Sequence, residues 1–234
     1  DFRPSYFKQL SSLLDIKAIK KARIKIAVDV MHGSARTYLR PFLESCGLEV
    51  IGLHEERDVL FGGRSPEPAP ESLPELAALI AKKKLHLGLA CDGDGDRFGI
   101  IDSGGEWISA NETLALAVEH LVTNRGLKGK IARSVMTSHF VDGVAKSHGL
   151  DTRETPVGFK FIGDLLRTGQ YLLGGEESGG LSIKGHVPDK DGILACLLML
   201  ELVAIERKPL SAIRQQLFKR VGSFHNIRIN YKME

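Results

Sequence analysis

The sequence predicts an α/β protein made of two consecutive, related domains. Apolar, strand-like segments alternate with amphipathic helical segments along most of the 234 residues, and such alternation is typical of α/β folds. The order of the segments repeats after roughly a hundred residues. In each half an apolar strand also runs into a glycine-rich acidic turn, ACDGDGD in the first half and LLGGEESGG in the second.

The first half begins with an amphipathic segment, SYFKQLSSLLDIKAIKKA, followed by a strand over residues 24–30. The β-branched residues and flanking turn signals of that strand indicate that it is parallel and buried. The helix SARTYLRPFLESC, the strand LEVIGL, the helix ESLPELAALIAKKK and the strand HLGLAC follow in turn. Before the second of these helices, the glycines and prolines of HEERDVLFGGRSPEPAPE predict an irregular segment, either a functional loop or a connector.

The second half is predicted to begin after the strand FGIID and the helix NETLALAVEHLV, whose start is indicated by a capping box from Ser109 to Glu112. The strand KIARSVM, the helix FVDGVAKSH, the second acidic turn, the strand LSIK and a long helix then follow. Thr137-Ser138-His139 places a serine beside a histidine. We interpret this tripeptide as a helix N-cap, because side chains adjacent in sequence rarely face one another. The break between the halves is placed near Asn124 to Gly129.

Composition excludes several classes of protein. The formal net charge is only +3, with 26% charged residues, so non-specific electrostatic binding to nucleic acid is not indicated. The longest apolar run, ILACLLML, is much shorter than the roughly 20 residues that a bilayer requires, so no membrane partner is expected. The three cysteines are far apart in the sequence and fit neither a disulfide framework nor a zinc site. We therefore expect a cytoplasmic location.

Three aspartates, Asp92, Asp94 and Asp96, are separated by single glycines in the first acidic turn. Such carboxylates can converge as hard oxygen ligands, which suit Mg²⁺ or Ca²⁺. Neither an EF-hand loop nor a Walker A sequence fits the spacing. Because Mg²⁺ commonly keeps part of its coordination shell for phosphate oxygens, a phosphoryl-transfer site is indicated, with Arg97 available to bind a phosphate oxygen. The alternative is an acidic hairpin turn with Arg97 as a surface counter-charge.

The second acidic turn, GGEESGG, combines carboxylates with a hydroxyl group. Glu176 and Ser178 are expected to alternate to one side, which would suit a hydroxyl-rich sugar, but a plain flexible turn is an equally good interpretation. Lys160 at the end of TPVGFK and Lys190 in HVPDKDG lie nearby in the sequence. Either lysine could supply positive charge for a phosphate.

DGDGDR and GEESGG together resemble the motifs of the α-D-phosphohexomutase family, the phosphoglucomutase and phosphomannomutase group. The similarity spans nearly the whole chain and includes IAVDVMHGSA, SPEPAPESL and TPVGFKFIGDLL. Family members have four domains, and this chain resembles the second and third, over residues 1–124 and 125–222. The resemblance implies two α/β/α domains with mixed sheets, the first binding metal and the second binding sugar.

Carried over residue by residue, the resemblance implies that Asp92, Asp94 and Asp96 hold Mg²⁺ and that Arg97 is catalytic, beside a phosphoserine. In the family this serine lies in the first domain, in a loop similar to TASHNP. No such loop occurs in this sequence, which begins with Asp1 rather than Met. We therefore expect a piece of a longer polypeptide that lacks the first and fourth domains, with residues 223–234 starting a linker to the fourth.

The resemblance further implies that Glu176 and Ser178 bind the sugar hydroxyls, with Lys190 and Lys160 also in the substrate site. Gly180 stands where some relatives have histidine, in GEMSGH, and this favours a glucose phosphate over a mannose phosphate. The implied reaction interconverts hexose 1-phosphate and hexose 6-phosphate through a phosphoserine, with a hexose bisphosphate as intermediate and activator. The piece alone is expected to be inactive.

The alternative function is a non-catalytic module that binds a divalent metal or a sugar phosphate. The two interpretations differ in what they require upstream of this sequence. A TASHNP-like loop there would favour the enzyme, and an unrelated domain would favour the binding module.

Overall fold

The computed structural model describes residues 1–224, and within them the chain forms nine α-helices and nine β-strands. The first part contains α1 (Arg3–Leu13), α2 (Ile16–Ala22), β1 (Ile26–Asp29), α3 (Leu39–Ser45), β2 (Val50–Leu53), α4 (Pro74–Lys83), β3 (Leu87–Cys91), β4 (Phe98–Asp102) and β5 (Trp107–Ile108). The second contains α5 (Ala110–Thr123), β6 (Lys130–Ser134), α6 (His139–Ser147), β7 (Thr152–Thr155), α7 (Phe159–Arg167), β8 (Tyr171–Gly175), β9 (Leu181–Ile183), α8 (Gly192–Glu206) and α9 (Leu210–Val221).

The two sheets share one topology. Their strand orders are β2-β1-β3-β4-β5 and β7-β6-β8-β9. The first three strands of each sheet are parallel to one another, and the next strand is antiparallel. The prediction of two related α/β/α domains with mixed sheets is confirmed. Each acidic turn joins a parallel strand to its antiparallel neighbour, β3 to β4 and β8 to β9, because a short glycine turn can only reverse the chain.

Two predicted helices begin later than the sequence indicates. The segment SARTYLRPFLESC divides into a 3-10 turn over Ser34–Thr37 and α3. The backbone N–H of Ser34 donates to the carbonyl oxygen of Gly93 in the acidic turn, so the start of this segment is shaped by a distant loop. In ESLPELAALIAKKK the helix starts at Pro74, since proline fits the first helical position and disfavours helical geometry in the residue before it.

Both predicted N-caps are confirmed. The Ser109 hydroxyl accepts from the Glu112 N–H at 3.3 Å, and the Glu112 carboxylate accepts from the Ser109 N–H at 2.8 Å, which together form a capping box for α5. Ser138 accepts from the N–H of Phe140 at 3.2 Å and starts α6. Ser138 therefore acts as a cap, as the sequence predicts.

One hydrophobic core extends through both domains. Its buried members come from β1, β3 and β4 of the first sheet, from β6, β8 and β9 of the second, and from the helices between them. α8 has apolar residues on all sides, and it packs against α2, β3, β4 and α5, which explains why almost the whole helix is buried. The three cysteines are free and buried, consistent with the absence of a disulfide framework.

A buried carboxylate in α8 joins three parts of the chain. Glu201 is fully buried and accepts from the Nε2 of His120 at 2.9 Å, the Nη1 of Arg125 at 2.6 Å and the backbone N–H of Asp15 at 2.6 Å. These donors lie in α5, in the segment after it and at the start of α2. The network therefore connects the N-terminal helices to the second domain.

The predicted break near residues 124–129 falls between α5 and β6, and α5 packs against α6. The domain limits 1–124 and 125–222 stay predictions. Most of the predicted linker over 223–234 lies outside the described residues. Within residues 1–224, no helix has both the length and the apolar character needed to cross a bilayer.

Replacing Glu201 should destabilise the fold strongly. Glu201→Ala leaves the Arg125 and His120 side chains without their buried acceptor, and breaking a buried ion pair costs about 3 kcal/mol or more. We expect a loss of that size in the free energy of unfolding, measured by urea titration. Glu206→Ala is the matched control, because this residue of the last turn of α8 pairs with Lys208 near the surface, where pairs contribute less than about 1 kcal/mol. Equal losses in the two variants would contradict this role of Glu201.

Candidate functional site

The acidic turn between β3 and β4 brings three carboxylates together. One oxygen each from Asp92, Asp94 and Asp96 lies within 4.8 Å of the others. Asp92 is buried, Asp96 is half-buried and Asp94 is exposed. Among residues 1–224, no other set of three His, Cys, Asp or Glu side chains converges in this way. The donor set is all oxygen and anionic, so it fits a hard divalent cation such as Mg²⁺.

Asp92 organises the acidic turn by accepting hydrogen bonds from its backbone. Its Oδ1 accepts from the backbone N–H of Gly95 at 2.9 Å and from that of Arg97 at 3.0 Å, so the chain folds around one carboxylate oxygen. Burial raises the pKa of Asp92 to about 7, and the neighbouring Asp94 and Asp96 raise it too, against the lowering effect of the Arg97 N–H. The turn concentrates more negative charge than it can stabilise by itself.

Two other segments support the acidic turn from outside. The Ser34 N–H donates to the Gly93 carbonyl oxygen at 2.9 Å, and the Ser34 hydroxyl donates to that of Asp94 at 2.6 Å. From the irregular segment before α4, the Pro66 carbonyl oxygen accepts from the Gly93 N–H at 3.0 Å. Gly33 approaches so closely that a Cβ there would lie 2.7 Å from the Asp92 carbonyl oxygen. No local sequence pattern singled out Ser34 as a part of the site.

Arg97 lies beside the triad and also contacts the irregular segment. Its Nη1 donates to Glu67 Oε1 at 3.0 Å, and its Nε lies 3.8 Å from Asp92 Oδ2 and from Asp96 Oδ1. This Nε is buried and has no hydrogen-bond partner within residues 1–224. The guanidinium borders a cleft of about 430 Å³ between the acidic turn and the irregular segment. The position is suitable for binding an anion next to a metal.

In the second acidic turn, Glu176 and Ser178 have different environments, and the extended alternation expected for them is wrong. Glu176 is buried, and its Oε1 accepts from the Gly158 N–H at 2.8 Å, whereas Ser178 is exposed. Alternation applies to extended strands, but here the Gly179 N–H bonds back to the Glu176 carbonyl oxygen at 3.1 Å and closes a turn. Glu177, which the sequence did not single out, accepts from the buried Ser134 hydroxyl at 3.0 Å.

The two acidic turns meet at the junction of the domains. The Phe98 N–H donates to the Gly179 carbonyl oxygen at 3.2 Å. Lys190 places its Nζ 2.6 Å from Asp96 Oδ2. The Gly192 N–H at the start of α8 donates to the Gly95 carbonyl oxygen at 3.0 Å. The structure therefore brings Lys190 and the second turn to the aspartate triad.

Lys160 has a different environment. It is exposed in the first turn of α7, and its Nζ lies 5.0 Å from the centre of the Phe161 ring. α7 follows Gly158, the residue that donates to Glu176. Lys160 thus lies on a helix that contacts the second turn, but within residues 1–224 it forms no ion pair with the other predicted site residues.

Comparison with protein families gives two matches along the chain. The family model described as phosphoglucomutase/phosphomannomutase, alpha/beta/alpha domain II, matches residues 4–105. The model of alpha/beta/alpha domain III of the same family matches residues 109–221. The two matches together cover both acidic turns and every strand except β5.

Individual relatives extend this similarity. A phosphoglucomutase/phosphomannomutase of Thermococcus kodakarensis is 29% identical over 94% of this chain and 48% of its own length. A phosphoglucomutase of Komagataeibacter xylinus is 30% identical over 98% of this chain and 44% of its own. The open-form crystal structure of pp63/parafusin, a phosphoglucomutase from Paramecium, superposes with a TM-score of 0.82 at 29% identity, covering 94% of this chain and 42% of that one. The chain spans about half the length of the curated relatives it matches.

The raised pKa of Asp92 predicts a pH-dependent stability in the metal-free protein. At pH values between 3.8, the ordinary pKa, and about 7, Asp92 holds a proton in the folded chain that it releases in the unfolded chain. The stabilisation that this proton gives the folded chain is complete at pH values below 3.8 and is lost as the pH rises through about 7. Asp92→Asn cannot ionise, so we expect it to gain stability relative to the parent as the pH rises from about 5 to about 8.

Urea unfolding in a chelating buffer measures this difference. Asp151→Asn, at an exposed position of the second domain, controls for the loss of one negative charge. If the stability difference between Asp92→Asn and the parent stays the same over this pH range, the pKa of Asp92 is not raised in the folded chain.

Proposed function

The chain belongs to the phosphoglucomutase/phosphomannomutase family, and from this premise we propose that it forms the metal- and sugar-binding centre of a phosphohexomutase. The proposed reaction interconverts hexose 1-phosphate and hexose 6-phosphate. It uses Mg²⁺ and a phosphoserine from another part of the same protein, and we propose a glucose phosphate as the preferred substrate. The bisphosphate formed after the first transfer is the intermediate.

The observation that carries this proposal is the meeting of the two acidic turns. A carboxylate triad that fits a hard cation lies against a turn with a buried glutamate, an exposed serine and a nearby lysine. Hydroxyl, carboxylate and ammonium groups are what a sugar phosphate requires of its site. A structural acidic hairpin would not need the second turn beside it.

Asp92, Asp94 and Asp96 would hold Mg²⁺, one oxygen each. When bound there, the ion would stabilise the negative charge on the phosphoryl group during transfer. Arg97, next to the triad, would bind a phosphoryl oxygen through its guanidinium, which has donor groups in a fixed fork. The Asp92 carboxylate also holds the triad and Arg97 close together, because the Gly95 and Arg97 N–H groups both donate to it.

The second turn would orient the sugar. Ser178 is exposed and free to bond a sugar hydroxyl, and Glu176 has its second carboxylate oxygen available while the first binds the Gly158 N–H. Lys190 would bind the phosphate that is not being transferred. The same hydroxyl contacts would serve both orientations of the bisphosphate, so one site could transfer phosphate to either end of the hexose.

Loss of one carboxylate should weaken metal binding. Asp94 is exposed, so Asp94→Asn should leave the fold intact while it removes one of three anionic ligands. We expect about tenfold weaker Mg²⁺ binding by calorimetric titration, a change of about 1.4 kcal/mol. Asp164→Asn, in an exposed i,i+3 pair with Arg167, is the control for charge. Equal affinities of the parent and Asp94→Asn would remove the triad from the metal site.

Changes in the second turn should slow turnover in both directions. In a full-length protein carrying this segment, Glu176→Gln replaces a charged acceptor of a sugar hydroxyl by a neutral amide and Ser178→Ala removes a contact with one, and such losses cost about 1 to 3 kcal/mol. We expect about tenfold to hundredfold lower kcat/KM for hexose 1-phosphate and for hexose 6-phosphate alike, measured with a coupled dehydrogenase. Ser147→Ala, at the last residue of α6, is the matched control. Binding of hexose phosphate without any turnover would favour the non-catalytic module.

A further inference from the structure

We propose that Lys190 is the resting counter-ion of the acidic turn, that it exchanges with the divalent cation, and that Tyr6 sets its resting position through Asp191. This inference rests on the proposed function, because it concerns the metal and phosphate groups of that site. It adds a positioning residue, Tyr6, and a coupling between the binding of the cation and the release of a lysine.

Lys190 reaches the triad from the second domain. Its Nζ lies 2.6 Å from Asp96 Oδ2, and both side chains are shielded, with 22% and 29% of their surface exposed. The other nearby cation, Arg97, donates to Glu67 at 3.0 Å and lies 3.8 Å from the triad oxygens. The ammonium of Lys190 is therefore the closest positive charge to the carboxylates within residues 1–224.

The ammonium and a divalent cation cannot both keep this position. A cation on the three carboxylates would lie within a few ångströms of the Lys190 ammonium, where like charges repel strongly in a partly shielded site. Asp96 would also have to offer the metal an oxygen while its Oδ2 binds the ammonium. Lys190 therefore gives up Asp96 when the cation binds, and its charge becomes available in the cleft of about 360 Å³ that it lines with Ser34 and Tyr38.

Asp191 explains why Lys190 rests on Asp96 and not on its own neighbour. Asp191 Oδ1 accepts from the Leu194 N–H at 2.9 Å and caps α8. Asp191 Oδ2 accepts from the Tyr6 hydroxyl at 2.8 Å and from the His186 Nε2 at 2.8 Å. With three donors on its two oxygens, Asp191 is a poor competitor for the Lys190 ammonium.

Tyr6 is a dependable donor in this cluster. Burial and the Asp191 carboxylate raise the pKa of its hydroxyl far above the ordinary value of 10.0, so the hydroxyl stays protonated. Tyr6 belongs to α1, and Gln9 on the same helix donates to the Gly185 carbonyl oxygen at 2.6 Å. α1 is thereby fixed to the loop that carries Lys190. Without the Tyr6 hydroxyl, each Asp191 oxygen would keep a single donor, Leu194 or His186, and the carboxylate would attract the lysine away from Asp96 more strongly.

The first test measures the cation exchange. Mg²⁺ is titrated calorimetrically into the parent, Lys190→Met, Lys190→Arg and Lys184→Met, with thermal unfolding as a check on the fold. We expect about tenfold tighter binding for Lys190→Met, because a competing charge is removed, and near-parental affinity for Lys190→Arg. Lys184→Met removes an equal charge from an exposed position of the same loop and should stay within about twofold of the parent.

The second test measures the coupling through Asp191. Tyr6→Phe should bind Mg²⁺ about threefold more tightly than the parent, and it should add nothing in the Lys190→Met background, because residues that act through one another are not additive. Tyr38→Phe is the matched control, since Tyr38 lines the same cleft and its ring packs 5.8 Å from that of Tyr6. A role of Tyr6 in fold stability alone would lower the unfolding temperature without changing Mg²⁺ affinity.

The outcomes separate this inference from the proposed function. Equal or weaker Mg²⁺ binding by Lys190→Met would overturn the exchange and leave the triad as a metal site. Additive effects of Tyr6→Phe and Lys190→Met would overturn the role of Tyr6. If neither the parent nor any variant binds Mg²⁺, the metal site of the proposed function fails, and the exchange fails with it.

Discussion

Mutual repulsion of three carboxylates in one short turn is the constraint on which the rest of this structure depends. Asp92 is stabilised by two N–H groups of its own turn, and Asp96 by Lys190 from the other domain. The turn is also fixed by Ser34 and Pro66. The domains therefore meet at the place where negative charge has to be compensated, and the positive groups that compensate it are those that a phosphate would also attract.

The repeated topology explains how the two turns come together. In each sheet the strand after the two parallel pairs returns antiparallel, so each domain presents one tight turn at the same end of its sheet. The first domain uses this turn for aspartates, and the second uses it for the glutamates and the serine of GEESGG. Gly192 allows the close approach, since a Cβ there would lie 2.3 Å from the Arg97 carbonyl oxygen.

Local patterns predicted most of the fold and the centre of the candidate site, because they depend on short-range chemistry. Helix caps, strand content and the DGDGDR spacing can be understood from neighbours in sequence. Contacts that decide the remaining details come from far along the chain: Ser34 is held by the acidic turn, and Tyr6 bonds to a residue 185 positions away. The expected alternation of Glu176 and Ser178 was wrong for a different, local reason, since the Gly179 N–H bonds back to the Glu176 carbonyl oxygen and closes a turn in place of an extended strand.

The shared hydrophobic core makes the two domains depend on one another, although their sheets repeat one topology. The two sheets repeat one another in topology, yet α8 follows the second sheet in sequence and packs against β3 and β4 of the first. Either half transplanted alone into another protein would expose a leucine-rich surface that has no counterpart in its new host. The smallest part of this chain that recombination could move without loss is thus the pair of domains, although each of them carries a complete sheet.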